Sequence, residues 1–250
     1  MRGVLSVDIS AVYIFIGVLV LAGTIIQGTI GFGLGTIATP IIALIAPELL
    51  PTVLLILAFF IAAYTLMKNR TETEWRLVGI SSLARLPGSL LGAWSLTVLS
   101  LRGLQLFIGC AVILAMSLSW LGWTPRHNNR NTVIAGVASG FLGTTTSIGG
   151  PPMALVLKRF NPAKVRGTLS ATFVIGCLIS LTILTLSQHV TMHHVVVAGA
   201  YLPLAALGLF IAGKINRRID TVLLNKLVVI VAGSASLLLI GQSLSTSITF

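Results

Sequence analysis

Apolar runs of membrane-crossing length recur from one end of this chain to the other: Leu49–Met67, Leu77–Leu99, Gly103–Leu121, Gly167–Ser187, His194–Ala212 and Val222–Ile240. Each is close to the roughly 20 residues an α-helix needs to cross about 30 Å of hydrocarbon. The runs are continuous, rich in Leu, Ile and Ala, and lack the alternation of outer-membrane strands. Only 8% of the 250 residues are charged, against about 25% in a soluble domain. The fold class expected is all-α integral membrane, multi-pass in a bacterial inner (cytoplasmic) membrane.

The formal net charge of +11 would suit a nucleic-acid partner, but its distribution points elsewhere. The segments 68–76, 122–131, 158–166 and 214–218 hold 3, 2, 4 and 3 Lys or Arg residues, 12 of the 16 in the chain. Short basic loops between apolar runs are topology signals. Cys110 and Cys177 lie inside apolar runs and read as packing residues, with no metal-ligand spacing and no disulfide framework. His189, His193 and His194 read as a solvated loop rather than a metal site. No cofactor, metal or nucleic acid is expected. The partners expected are a small anion and the lipid bilayer, with homo-oligomerisation left open. The first apolar run resembles a signal-peptide core, yet it continues into a glycine-rich segment and is read as structural.

Two stretches repeat. Ala84-Arg-Leu-Pro-Gly-Ser-Leu-Leu-Gly92 aligns without gaps on Ala200-Tyr-Leu-Pro-Leu-Ala-Ala-Leu-Gly208, with five of nine positions identical. Upstream, Gly28–Pro40 aligns on Gly140–Pro152, sharing Gly28/Gly140, Gly31/Gly143 and Pro40/Pro152. Ordered matches at nearly one offset indicate a duplication, with repeats at 1–123 and 124–250. The positive-inside rule places all four basic loops in the cytoplasm. An even number of passes must then separate 122–131 from 158–166, and about 27 residues are too few for two full spans. The reading is a broken or re-entrant hairpin of two half-helices at about 132–158, matched by one at about 11–46. Spans at about 49–67, 77–97 and 103–121 follow the first hairpin, and spans at about 167–187, 194–213 and 222–242 follow the second. Three spans per half make the two repeats inverted, a common transporter architecture with its site at the repeat interface near the midplane. Trp75, Trp120 and Trp123 would fall at the inner boundary and Trp94 near the outer one, as an aromatic belt.

Two places carry chemistry. The hairpin tips hold Gly31, Gly33 and Gly35 in the first half and Gly143, Gly149 and Gly150 in the second, permitting tight turns and close ligand approach. Helix N-termini beginning near them suit an oxyanion, and Thr36, Thr39, Thr144, Thr145, Thr146 and Ser147 add hydroxyls. The alternative is that these small residues serve close helix packing. The second place is Arg85, nine residues beyond Arg76 and so roughly 13 Å along a helix from the inner boundary. A charge at such depth costs at least about 2.5 kcal/mol and is usually functional. No acidic residue shares its depth, because Asp8, Glu48, Glu72, Glu74 and Asp220 all fall near boundaries. An uncompensated cation favours an anionic ligand, and its repeat mate Tyr201 is a neutral donor. Gln27 and Gln105 either reach the cavity or bond neighbouring helices. No nucleophile–base pair, metal cluster or embedded carboxylate pair suggests an enzyme.

At these residues the chain resembles the sulfite exporter TauE/SafE family, also called the toluene sulfonate uptake permease family. The resemblance rests on Gly28–Pro40, on Gly140–Pro152 and on Gly167-Thr-Leu-Ser170 after the basic turn Asn161–Arg166. The first half carries Ala46-Pro-Glu-Leu-Leu-Pro51 in place of that last element. The resemblance implies transport, usually outward, of sulfite, thiosulfate, sulfoacetate or another organosulfonate. An anion channel and a transporter of non-sulfur carboxylates are the alternative readings.

Overall fold

The computed structural model describes residues 9–120, 125, 128–215 and 221–245. In hydrocarbon each backbone N–H and C=O must find a partner within its own segment or a closed barrel, and the apolar runs accordingly fold as helices. The first half holds α1 (Ile9–Ile30), α2 (Leu34–Ile45), α3 (Thr52–Asn69), α4 (Trp75–Val98) and α5 (Leu101–Trp120). The second holds α6 (Asn129–Thr146), α7 (Gly150–Leu157), α8 (Pro162–Leu186), α9 (Met192–Ile215) and α10 (Thr221–Ser245). Single 3₁₀ turns at Pro47–Leu49 and Arg70–Glu72 precede α3 and α4, and no strand occurs among the described residues. Helices α1, α3, α8, α9 and α10 are each long and apolar enough to cross a bilayer. The chain is an all-α membrane protein.

The hairpins have unequal arms where the sequence suggested two half-helices. α1 has 22 residues and α2 has 12; α6 has 18 and α7 only 8. At 1.5 Å per residue these are about 33, 18, 27 and 12 Å. Side-chain caps set the starts of α6 and α8. Asn128 Oδ1 accepts from Asn131 N–H at 2.8 Å and Asn161 Oδ1 from Lys164 N–H at 2.8 Å, each satisfying an orphan donor of a first turn. Pro162 opens α8 at a position where no N–H is needed.

Small residues let the helices close on one another. α4 lies along α6, and α9 along α1. A methyl group added at Gly88 would meet the Val137 carbonyl, and one at Gly136 would stand 2.7 Å from the Ser81 carbonyl. On the other pair, a methyl at Gly208 would stand 2.9 Å from Thr24 Cβ, and at Gly28 2.9 Å from Ala212 Cβ. Without a hydrophobic drive between helices in lipid, such close approach is what holds them together. Trp75 and Trp94 are exposed towards opposite ends of α4. The Trp120 side chain, Trp123, Asp8, Asp220 and much of the basic segments 122–131 and 214–218 lie outside the described residues.

Candidate functional site

The chain reverses between α1 and α2 through Gly31-Phe32-Gly33, with φ of 92° at Gly31 and 141° at Gly33. These values belong to glycine, because a Cβ would clash with the local backbone. Between α6 and α7 the reversal uses Ser147, at φ 61° and ψ 12°. A left-handed serine costs roughly 1–2 kcal/mol, and two bonds hold it there. Its N–H donates to the Gly143 carbonyl at 2.9 Å and its hydroxyl to the Pro51 carbonyl at 2.8 Å.

The two tips meet. A methyl at Gly35 would run into the Ser147 carbonyl, and Thr39 Oγ1 donates to the Thr146 carbonyl at 2.7 Å. Between them lies a cavity of about 20 Å³ bounded by Thr36, Gly33, Gly35, Ser147, Gly149 and Gly150. Arg85, Gly143, Gln27, Phe32, Leu55, Ala58, Phe173 and Cys177 complete its wall. That volume is enough for about one water molecule. The starts of α2 and α7 both border it, so their positive dipole ends lie close by, with Leu34 N–H already taken by Gln27 Oε1 and with Pro151 and Pro152 of α7 bringing no N–H.

Arg85 stands near the middle of α4 and is 1% exposed. Its Nη1 donates to Ser139 Oγ at 2.8 Å, and that hydroxyl donates on to the Gly149 carbonyl at 2.7 Å. The guanidinium carries five N–H donors. The bond to Ser139 is its one hydrogen bond among the described residues, and its buried Nε has no partner. No carboxylate pairs with it; the ion pair seen among the described residues is Lys164–Glu74, at 2.6 Å. Glycines form the cradle. A methyl at Gly176 would stand 2.5 Å from Arg85 Cζ and 2.6 Å from Nε, one at Gly149 3.2 Å from Nη1, and one at Gly143 against Nη2.

The hydroxyls divide sharply. Thr36 is buried on the cavity wall and makes no hydrogen bond among the described residues. Thr145 and Thr146 instead bond back to the carbonyls of Phe141 and Leu142 at 2.6 and 2.7 Å. Thr144 pairs with Ser180 at 2.7 Å. Of the tip hydroxyls only Thr36 and Ser147 border the cavity; Ser147 is committed to the Pro51 carbonyl and Thr39 to the Thr146 carbonyl, and Thr39, Thr144, Thr145 and Thr146 lie off the wall. Gly31 lies outside the wall, against Arg166 and Leu169. Tyr201 also lies outside it, with its hydroxyl on the Tyr13 carbonyl at 2.9 Å.

A family model described as Sulfite exporter TauE/SafE matches residues 15–239. The chain belongs to the sulfite exporter TauE/SafE family. The TauE/SafE match takes in both tips, Arg85 and Tyr201. A curated relative, a "Probable sulfite/organosulfonate exporter TauE" of Cupriavidus necator, is 26% identical over 165 residues. The match covers 62% of this chain and 64% of that protein, so it spans less than two thirds of the relative's length. No solved structure matches the chain.

Reasoning from residue type did not single out Ser139, Gly176, Phe32, Phe173 or Cys177 as site residues. Cys177 is 2% exposed and read as packing, since nothing in the apolar run of α8 marks which face meets Arg85. Gln27 does border the cavity, and its Oε1 accepts from Leu34 N–H at 3.3 Å, tying α1 to the start of α2. Gln105 instead donates to the Ala43 carbonyl at 2.8 Å. The Gly167-Thr-Leu-Ser170 element serves packing. A methyl at Gly167 would stand 2.7 Å from the Asn69 carbonyl, and Thr168 Oγ1 accepts from Glu74 N–H at 3.0 Å.

Proposed function

We propose that the protein exports a small sulfur oxyanion or organosulfonate across a bacterial cytoplasmic membrane, binding it between the two tips against Arg85 and Thr36. The observation that carries this reading is a buried guanidinium, bordering a small cavity, with one hydrogen bond and no carboxylate partner among the described residues. Burying a cation without a partner is expensive, and an anion that supplies two or three oxygen acceptors removes most of that cost. Arginine's planar fork suits such oxyanions. The sulfur specificity rests on the family and on the relative's name.

The cavity of about 20 Å³ is too small for a three-oxygen anion, so the conformation described is a closed one. Binding then requires the tips to part, and the Gly35–Ser147 and Thr39–Thr146 contacts are what must break. The helix packing supports a duplication around this point, and the basic loops favour its inversion. α4 packs on α6 as α9 packs on α1, and α4 on α8 as α9 on α3, while α3 meets α8 and α5 meets α10. Swapping the halves leaves this set of contacts unchanged, as alternating access about a central site requires. An inside-negative potential adds about 2.3 kcal/mol per charge per 100 mV, which drives an anion outward without a coupled ion.

Reconstitution tests the reading. Proteoliposomes with an imposed potential should show saturable flux of at least one of sulfite, thiosulfate and sulfoacetate, at rates well below channel conductance. Flux of none of the three above empty liposomes contradicts it, and ohmic, non-saturating current would make the protein a channel.

A further inference from the structure

A second, larger cavity adjoins the first. It measures about 250 Å³ and is bounded by the end of α1, by α7, by the start of α8 and by α10. Its wall holds two cations, exposed Lys158 and half-buried Arg166. Neither side chain makes an ion pair or hydrogen bond among the described residues. One residue borders both cavities, and it is Phe32. Its side chain packs on the start of α7, where a methyl at Gly150 would stand 2.8 Å from Phe32 Cβ and 3.2 Å from Cγ. Phe32 sits between Gly31 and Gly33, both at positive φ, and glycine loses little when such a backbone rotates.

We infer that Phe32 is the gate between this basic vestibule and the Arg85 cavity, and that Arg166 and Lys158 hold an incoming anion on the vestibule side of it. The inference rests on the export reading above and specifies its entry route. With the ring in place, an anion would have to shed its water against an apolar wall, which is costly without compensating hydrogen bonds. Two cations in a concave, partly apolar pocket raise the local anion concentration. Arg166 also sits next to the hinge. The Arg166 Cα and Cγ lie 3.3 and 3.6 Å from where a Gly31 methyl would sit, one residue before Phe32. An anion drawn to Arg166 therefore arrives at the backbone that must turn to move the ring.

Cys177, buried in the cavity wall, is a built-in reporter once the exposed Cys110 is replaced by Cys110→Ser. The probes are two methanethiosulfonates, one bearing an anionic sulfonatoethyl group and one a cationic trimethylammonioethyl group. The Cys177 thiolate attacks the sulfur that carries that group, forming a mixed disulfide and releasing methanesulfinate. Labelling of the purified protein in detergent exposes both faces, so no topology is assumed. Phe32→Ala should speed labelling by the anionic probe about tenfold, as expected for removal of a gate, while Phe32→Trp should not speed it. Phe32→Leu gives the same test with a gentler truncation, should Phe32→Ala not fold to a monodisperse protein. Adding Arg166→Gln to the open variant should slow the anionic probe several-fold and leave the cationic one unslowed. Unchanged labelling in both Phe32→Ala and Phe32→Leu overturns the gate, and equal slowing of both probes overturns the capture role. Labelling needs no transport, so a wild type that moves no sulfur anion would sink the export reading and leave this result intact.

Discussion

Arg85 and Tyr201 occupy aligned positions in the two halves, on helices that pack against equivalent partners, and they have opposite fates. Tyr201 donates its hydroxyl to the Tyr13 carbonyl of α1 and finishes there, away from the Arg85 cavity. Arg85 faces α6 in the same way, donates one N–H to Ser139, and keeps the rest of its guanidinium against the cavity. The packing of α4 on α6 and of α9 on α1 gives two similar frames. Only one of them carries a charge into the centre, so the scaffold is shared and the chemistry is one-sided.

The largest effect should come from breaking the charged side. Arg85→Ala should lower sulfur-anion flux about 100-fold, the scale expected when one member of a buried charge pair is lost. Arg85→Lys should recover little of it, because a lysine keeps the charge and loses the fork. Proteoliposome flux, normalised to protein that elutes as one species, reads both.

A smaller effect should follow from crowding the cradle. Gly176→Ala places a methyl 2.5 Å from Arg85 Cζ and displaces the guanidinium, for an expected loss of about tenfold in flux from strain of 1–3 kcal/mol. Gly199 and Gly233 have open space around them, so alanine there should leave flux and thermal stability within error of the wild type.

The hydroxyls give a finer contrast. Thr36→Ala removes the one tip hydroxyl that faces the cavity without a protein partner, and sulfite affinity should fall about tenfold, typical of a hydrogen bond to a charged group. Thr145→Ala removes a bond to the carbonyl of its own helix and should leave affinity unchanged. Equal losses in the two variants would erase the distinction drawn between them. Isothermal titration in detergent distinguishes these outcomes.

Smallest of all, Tyr201→Phe should lower the unfolding free energy by about 1 kcal/mol, the net value of a buried hydrogen bond, and leave flux within twofold of the wild type. Thermal denaturation with parallel flux assays measures both. A flux loss comparable to that of Arg85→Ala would make the two halves chemically equivalent.

Much of the helical layout was legible because hydrocarbon thickness imposes one length on every apolar run, whatever its detailed sequence. Arg85 was legible for a related reason, since a charge in such a run stands out against everything near it. The hydroxyls were not. Thr36 and Thr145 look alike in sequence, and only the fold shows that Thr145 turns back onto Phe141 while Thr36 borders the cavity. Thr39 was illegible in another way, because its acceptor at Thr146 is 107 residues distant and depends on how the tips dock. The shortness of α7 was hidden as well. Eight helical residues between a left-handed serine and Lys158 carry no composition signal that separates them from half of a span. Gly176 and Cys177 escaped notice because α8 is apolar on all sides, and only packing against Arg85 marks one face.

The most direct test of the central claim is a thermal-shift titration with sulfite on three purified proteins: wild type, Arg85→Ala and Tyr201→Phe. A ligand at 100 times its Kd stabilises the state it binds by about 2.7 kcal/mol, which is an easily read rise in melting temperature. Wild type and Tyr201→Phe should rise together and Arg85→Ala should not move. A full sulfite-dependent rise in folded Arg85→Ala would contradict the assignment of the anion site to the Arg85 cavity.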